Sequence, residues 1–228
     1  MLLSIIIPVF NEAEELPSLL GHLALSGGRD REVIVVDGGS GDGSLQLAKR
    51  MGVQIICSER GRARQMNAGA AGAKGDVLLF LHADTRLPSS AEQTLETALQ
   101  QEEGAHCHVW GRFDVRIAGR PLLLRVVAAL MNWRSRLSGI ATGDQAMFMT
   151  RRAFDAAGGF PDQPLMEDVE MSKRLLALSR PVCLAERVTT SGRRWEAHGV
   201  WKTIWLMWRL RWLYWRGVPA AELAGLYR

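Results

Sequence analysis

The side chains best able to do chemistry in this sequence are acids and arginines set beside glycine-rich turns. Asp37 and Asp84 each follow an apolar run, and a Glu167-Asp168 pair opens a helical stretch. Carboxylates can hold a divalent cation or accept a proton. Arg62 and Arg64 can supply the fixed, bidentate positive charge that suits phosphate groups. The loop from Gly38 to Gly43 lets the backbone approach a ligand closely. Two common nucleotide loops are missing. If Gly39 and Gly41 are the first glycines of a dinucleotide fingerprint, the third position is Ser44; and Lys74 is followed by Gly75 where a phosphate-binding loop needs Ser or Thr.

Each of these residues also has a structural explanation. Asp37 and Ser40 are types that turns and helix caps use. Asp84 reads equally as a solvated loop acid, Glu167 as compensation for a helix N-terminus, and Arg62 with Arg64 as a solvated face. His106 and His108 would share one face of a strand with no third ligand nearby, so they read as surface or strand histidines, as does His198.

The elements that would position the acids alternate. Leu3–Val9, Val33–Val36, Val53–Cys57 and Asp76–Leu81 read as buried strands. Between them, Asn11 caps a helix with Glu14 at the capping-box position and Leu16, Leu19, Leu20 and Leu23 on one face; further helices run to about Arg50 and from Arg62 to Ala73. Strands separated by such helices imply right-handed crossovers and a parallel sheet covered on both faces. Asp37 and Asp84 then fall just past carboxyl ends of strands, and Glu167-Asp168 less directly so; ligands of open α/β sheets bind at those ends. The second half predicts strands at Val109–Ile117, Gln145–Met149 and Pro181–Ala185. It predicts helices at Pro121–Leu137, Glu167–Leu178, Ala197–Arg216 and Ala220–Tyr227.

Composition bounds the rest. The 228 residues are 47% hydrophobic and 23% charged, which suits a globular α/β domain and excludes disordered and collagen-like chains. Cys57, Cys107 and Cys183 form no CxxC pair, so neither a disulfide scaffold nor a zinc ribbon is expected and a reducing cytoplasm fits. The chain starts directly on a strand-like run, and no signal peptide is read. The net charge of +4 suits an acidic partner: a nucleoside diphosphate, nucleic acid or an anionic membrane surface.

In sequence order stand Ser4-Ile-Ile-Ile-Pro-Val-Phe-Asn-Glu12, Glu32-Val-Ile-Val-Val-Asp-Gly-Gly-Ser40, Arg64-Gln-Met-Asn-Ala-Gly69, Gly75-Asp-Val-Leu-Leu-Phe-Leu-His-Ala-Asp84, Gly158-Gly-Phe-Pro161 and Met166-Glu-Asp-Val-Glu-Met-Ser-Lys-Arg174. In this order and spacing they resemble the family 2 glycosyltransferases over about residues 1 to 190. Gly143-Asp-Gln145 and Thr190-Ser-Gly-Arg-Arg-Trp195 are similar to a small single-domain bacterial branch. The resemblance implies a GT-A fold: a Rossmann-like, mostly parallel sheet with helices on both faces, here over residues 1–190, with residues 191–228 as a Trp/Arg-rich helical appendage packed on the same domain.

The resemblance also implies an inverting enzyme that moves a sugar from a nucleotide-diphospho-sugar to an acceptor hydroxyl. Pro8, Phe10 and Glu12 would line the nucleoside pocket, Asp37 would accept a hydrogen bond from the base, and Ser40 and Asn67 would belong to the same donor site. The Asp-x-Asp metal motif reads His82-Ala-Asp84 here, leaving Asp84 to contact Mg²⁺ or Mn²⁺. The acid pair Glu167-Asp168 would carry the catalytic base, at Asp168. The family's Arg-Asn is Met66-Asn67, so Arg62 and Arg64, one turn earlier, would supply the positive charge. A catalytically weak nucleotide-sugar-binding or membrane-associated scaffold is the alternative, because the metal motif is incomplete; retention of Asp84 and Asp168 speaks against it. A nucleotidyltransferase would need a Gly-rich basic loop after the first strand, which Pro8-Val-Phe-Asn-Glu12 is not. No nucleic-acid motif accompanies the basic residues.

Five of the eight tryptophans lie between Trp201 and Trp215. At about 100° per residue they form one stripe, edged by Lys202, Arg209, Arg211 and Arg216, with Leu206, Met207, Leu210 and Leu213 opposite. A helix with two apolar faces can dock one on its domain. The other is either buried, in the chain or in a homodimer, or lies peripherally on the inner face of the cell membrane, where Trp and basic residues favour anionic lipid. A lipid-linked acceptor would suit the membrane reading. No apolar run reaches the roughly 20 residues of a span.

Overall fold

Alternation of side chains along each strand decides which helix it meets. A computed structural model describes residues 1–26, 30–102 and 108–227. The first half contains β1 (Leu3–Val9), α1 (Leu16–Leu25), β2 (Arg31–Asp37), α2 (Ser44–Arg50), β3 (Gln54–Cys57), α3 (Arg62–Gly72), β4 (Val77–Phe80), β5 (Thr85–Arg86) and α4 (Ala91–Glu102). The second half contains β6 (Trp110–Ala118), α5 (Leu123–Ser138), β7 (Met147–Thr150), α6 (Arg151–Ala157), α7 (Glu167–Leu176), β8 (Val182–Ser191), α8 (Arg193–His198), α9 (Val200–Trp215) and α10 (Ala220–Tyr227). Ile5, Ile7 and Val9 of β1 pack with Leu16, Leu19, Leu20 and Leu23 of α1, on the face that α2, α4 and α5 also cover. Ile6 points the other way, into a core with Ala63, Met66 and Ala70 of α3 and Met171 and Leu175 of α7.

The sheet order is β3-β2-β1-β4-β7-β6-β8-β5. β1 pairs in parallel with β2 and β4, β2 with β3, and β6 with β8; β7 runs antiparallel between β4 and β6, and β5 antiparallel to β8. The architecture is the expected α/β one, a mostly parallel sheet with helices on both faces and helices at the C-terminal end. Register sets Val9 beside Asp37, so the carboxyl ends of β1 and β2 open together. A Cβ on Gly69 would lie 2.4 Å from Ile6 Cγ2, so glycine lets α3 press on the sheet and carry its first residue, Arg62, to that edge.

Four local expectations differ from the structure. Asn11 does not cap α1: its side chain accepts from Gly41 N at 2.9 Å and its φ is +55°, so the helix waits until Leu16, with a proline in its first turn. The capping box with Glu14 is lost with it. Helices α4 and α6 and strand β5 were not anticipated; α4 buries Ala91, Leu95, Ala98 and Leu99. The long C-terminal helix is broken at Gly199, whose φ of +83° ends α8 and turns the chain into α9. His106 and Cys107 lie outside the described residues.

Of the two apolar faces of α9, the aliphatic one is docked. Leu206, Met207, Leu210 and Leu213 pack with Met166, Leu223 and Tyr227. The tryptophans point outward: Trp201, Trp205, Trp208, Trp212 and Trp215 are 55–79% exposed.

Candidate functional site

A cleft of about 580 Å³ crosses the carboxyl ends of β1 and β4. Pro8, Phe10 and Glu12 form one wall, Arg60, Gly61 and Arg62 another, and His82, Ala83 and Asp84 the floor; Leu165, Ala224 and Tyr227 close the far side. A smaller pocket of about 110 Å³ continues from it past Arg62, His82, Leu165 and Tyr227 to Gly143, Asp144, Glu167, Asp168 and Arg211. Parallel pairing supplies one side of this site. The long connection before α7 and the returning α10 supply the other.

The adjacent acids of α7 have different surroundings. Glu167 is buried and its Oε1 accepts from Arg62 Nη1 at 3.2 Å. Burial pushes its carboxyl above the usual range; Arg62 opposes that shift and Asp168 adds to it. Asp168 faces the small pocket, its Oδ2 accepting from Gly143 N at 2.9 Å and its Oδ1 from Val169 N at 2.7 Å. Two backbone donors therefore fix one carboxylate in a space where an acceptor hydroxyl could be deprotonated. Arg62 is held the other way round. Burial works against its charge, but Glu167, with Asp168 and Asp144, reverses that and keeps it cationic.

Asp84 lies on the cleft floor, where Thr85 Oγ1 donates to its Oδ1 at 3.3 Å. Glu12 faces the same space. Partial burial raises its carboxyl above the ordinary range, Arg193 lowers it and Asp84 adds to the rise. His82 pairs with Asp144 at 3.4 Å, and a Cβ on Gly143 would lie 2.5 Å from the imidazole. Burial tends to raise the Asp144 carboxyl, but His82, with Arg62 and Arg211, holds it below its usual value. Among the described residues no three His, Cys, Asp or Glu side chains form a metal cluster. A single carboxylate on an open floor still fits Mg²⁺ or Mn²⁺, which take oxygen donors, keep waters and share themselves with substrate phosphates.

The remaining candidates divide. Asp37 is buried at the carboxyl end of β2 and does not line the cleft; its Oδ2 accepts from Gly39 N and Ser40 N, both at 3.0 Å, while Oδ1 has no partner. Ser40 accepts from Asn11 N at 2.9 Å and Asn67 is bonded at both ends to the Phe160 backbone, so each ties a loop and neither lines the cleft. Arg64 points outward to Glu59 and to Asp162, at 2.8 Å, and does not line the cleft either. Sequence reasoning passed over Arg60, whose guanidinium lies 3.9 Å over the Phe10 ring, and Arg193, which pairs with Glu12 at 3.6 Å. It also passed over Tyr227, which lines both pockets. Arg60 immediately precedes the N-cap of α3 and Arg193 lies within the Thr190–Trp195 motif, but their spacing assigns neither a role; Tyr227 reaches the site through long-range packing. Backbone strain does mark the site. Asn11, Ala146 and Met166 are the non-glycine residues with positive φ among those described, and they flank the cleft, the Gly143 turn and Glu167.

A family model described as Glycosyl transferase family 2 matches residues 4–158. A probable glycosyltransferase, YdaM, of Bacillus subtilis is 27% identical over 89% of this chain and 52% of its own length. An undecaprenyl-phosphate 4-deoxy-4-formamido-L-arabinose transferase of Aeromonas hydrophila is 34% identical over 43% of this chain and 34% of its own. The chain thus spans about a third to a half of these curated relatives. Among solved structures, S. aureus TarS 1-349 in complex with UDP-GlcNAc superposes with a TM-score of 0.61 at 21% identity, covering 84% of this chain and 58% of that one. The mannosyltransferase PcManGT of Pyrobaculum calidifontis, in complex with GDP-Man and Mn²⁺, gives 0.58 at 23% identity over 82% and 56%. These likenesses show the GT-A fold.

Proposed function

This chain belongs to glycosyl transferase family 2, and we propose that it transfers a sugar from a nucleoside-diphosphate donor to an acceptor hydroxyl with inversion. One observation carries the reading: Asp84, Arg62 and Asp168, distant in sequence, converge on two joined pockets. The donor lies in the larger one. Phe10, stacked under Arg60, offers an aromatic and cationic surface to a base, and the unpartnered Oδ1 of Asp37 is an acceptor for a base N–H. The bound neighbours, with UDP-GlcNAc or GDP-Man, support a donor of this class.

Asp84 would hold a divalent cation, which when bound neutralises charge on the diphosphate. Arg62, locked by Glu167, adds a fixed positive charge at the same mouth. Glu167 is therefore a positioning residue. Asp168 takes the proton of the acceptor hydroxyl as its oxygen attacks the sugar C1 from the side opposite the diphosphate; the C1–O bond to phosphate breaks and the configuration inverts. Residues 1–190 then form the transferase body and residues 191–228 its cover and attachment. No helix among the described residues is long and apolar enough to cross a membrane. The outward tryptophans, the exposed Val126, Leu130, Trp133 and Leu137 of α5 and Leu122 just before it form an apolar platform suited to peripheral contact with the inner membrane face.

Calorimetry of UDP and GDP with and without Mn²⁺ tests this. One of them should bind more tightly with Mn²⁺, and Asp84→Ala should erase that gain, a loss of roughly tenfold or more. Unchanged Mn²⁺-dependent binding in Asp84→Ala would remove the residue from the role.

A further inference from the structure

A second cleft, of about 490 Å³, runs between α5 and α9. Leu130 and Trp133 form one wall, Ile204 and Trp208 the other. Asp144, Met207 and Arg211 line both this groove and the small pocket that holds Asp168, so the two spaces meet. Arg134 also lines the groove, and its Nε and Nη2 are buried with no hydrogen-bond partner. Arg211 has no hydrogen-bond or ion-pair partner among the described residues either. Burial and the neighbouring Arg211 bring the Arg134 guanidinium down to about 10, and burial lowers Arg211 too. Both stay charged at neutral pH.

Two like charges withdrawn from water without a direct partner are unfavourable, and an anion between them relieves both desolvation and repulsion. The acids whose charge reaches them are engaged elsewhere: Asp168 by the Gly143 and Val169 amides, Asp144 by His82. An apolar groove ending in two unpaired guanidiniums complements an amphiphile with an anionic head. We propose that this groove is the acceptor site and that the acceptor is a lipid bearing a phosphate group. The phosphate sits on Arg134 and Arg211, the hydrocarbon chain lies between α5 and α9, and the head-group hydroxyl that receives the sugar reaches Asp168. The inference rests on the transferase reading above and names its acceptor class. The groove shares Leu130, Trp133 and Trp208 with the exposed apolar platform, so a chain can pass from a bilayer into it without crossing water.

The test uses dodecyl phosphate, dodecanol and inorganic phosphate as probes, read by calorimetry and by the fluorescence of the groove tryptophans. Dodecyl phosphate should bind at least about tenfold more tightly than either fragment, the worth of one charged hydrogen bond. The double variant Arg134→Gln/Arg211→Gln should lose about that factor for dodecyl phosphate while its affinity for the nucleoside diphosphate stays the same. Equal binding of dodecanol, or loss of the nucleoside diphosphate with dodecyl phosphate retained, would overturn the proposal; the latter would give the arginines to the donor. If the double variant does not fold, Leu130→Trp, which fills the groove, replaces it: it should weaken dodecyl phosphate alone, and unchanged binding overturns the site. Failure of the wild type to bind any nucleoside diphosphate would break the transferase reading, and dodecyl phosphate binding would report the groove separately.

Discussion

The floor and near wall of the cleft come from the carboxyl ends of two adjacent parallel strands, β1 and β4, and the start of α3, whereas the far side and the small pocket behind it come from the Gly143 turn, the connection before α7, and α7, α9 and α10. On the near side, short-range rules suffice. β1, β2 and β4 end side by side because their apolar residues pair in register, and whatever follows them is delivered to one edge. On the far side, Asp168 depends on the strained Met166 and the Gly143 amide, Arg211 on the docked face of α9, and Tyr227 on Arg194, which donates to its carbonyl at 2.7 Å. The contrast separates two tasks. A rigid, locally encoded half suits a donor class shared across a family, and a half built from distant elements is free to vary with the acceptor.

Chemistry should be most sensitive on the far side. Asp168→Asn can keep the Gly143 contact through its amide oxygen, gives up the Val169 one and removes the proposed base, so turnover should fall roughly 10²–10⁴-fold with nucleoside diphosphate affinity retained. Steady-state kinetics with an accepted acceptor measure it; near-normal turnover would dissolve the division of labour between the two halves.

The joint between the halves is the Arg62–Glu167 pair. Arg62→Gln leaves a buried carboxylate without its cation, and because Arg62 is itself half exposed the expected loss is about 1–3 kcal/mol at pH 7. The pH dependence gives the sign. Glu167 already has a raised carboxyl, and losing Arg62 raises it further. A raised acid destabilises the fold where it must ionise and contributes fully below its unfolded value of about 4.3. The deficit of Arg62→Gln should therefore be large at pH 7 and shrink as pH falls toward 4, as thermal melts at both values would show. A deficit independent of pH would mean that packing, not charge, joins the two halves.

Stability should respond least on the outer face. Trp201→Ser with Trp208→Ser removes two exposed rings and should change stability by only about 0.5 kcal/mol each. Co-sedimentation with anionic vesicles should drop clearly. If sedimentation is unchanged and the wild type proves dimeric by light scattering, the face is a subunit contact instead of a membrane one.

Much of the near half was legible in the chain itself. Continuous apolar runs, glycines at the turns and an acid after a strand determine β1, β2 and β4 and place Asp84 and Asp37 at one edge, because strand pairing translates sequence order directly into position. The same rules failed at Asn11, whose side chain serves the Gly41 amide across 30 residues and so cannot cap α1. They were silent on Arg60, Arg193 and Tyr227, and they could not separate Glu167 from Asp168. These two neighbours differ because the side chains project in different directions from the first turn of α7, one toward Arg62 and the other toward the Gly143 turn. Periodicity likewise predicted two apolar faces on α9, but only the packing of Leu210 against Leu223 decided which one turns inward. Amino-acid order specifies local backbone and the pattern of apolar faces; partners for a charge or a face far along the chain are chosen only when the tertiary structure brings them within contact distance, which is where desolvation and pairing act.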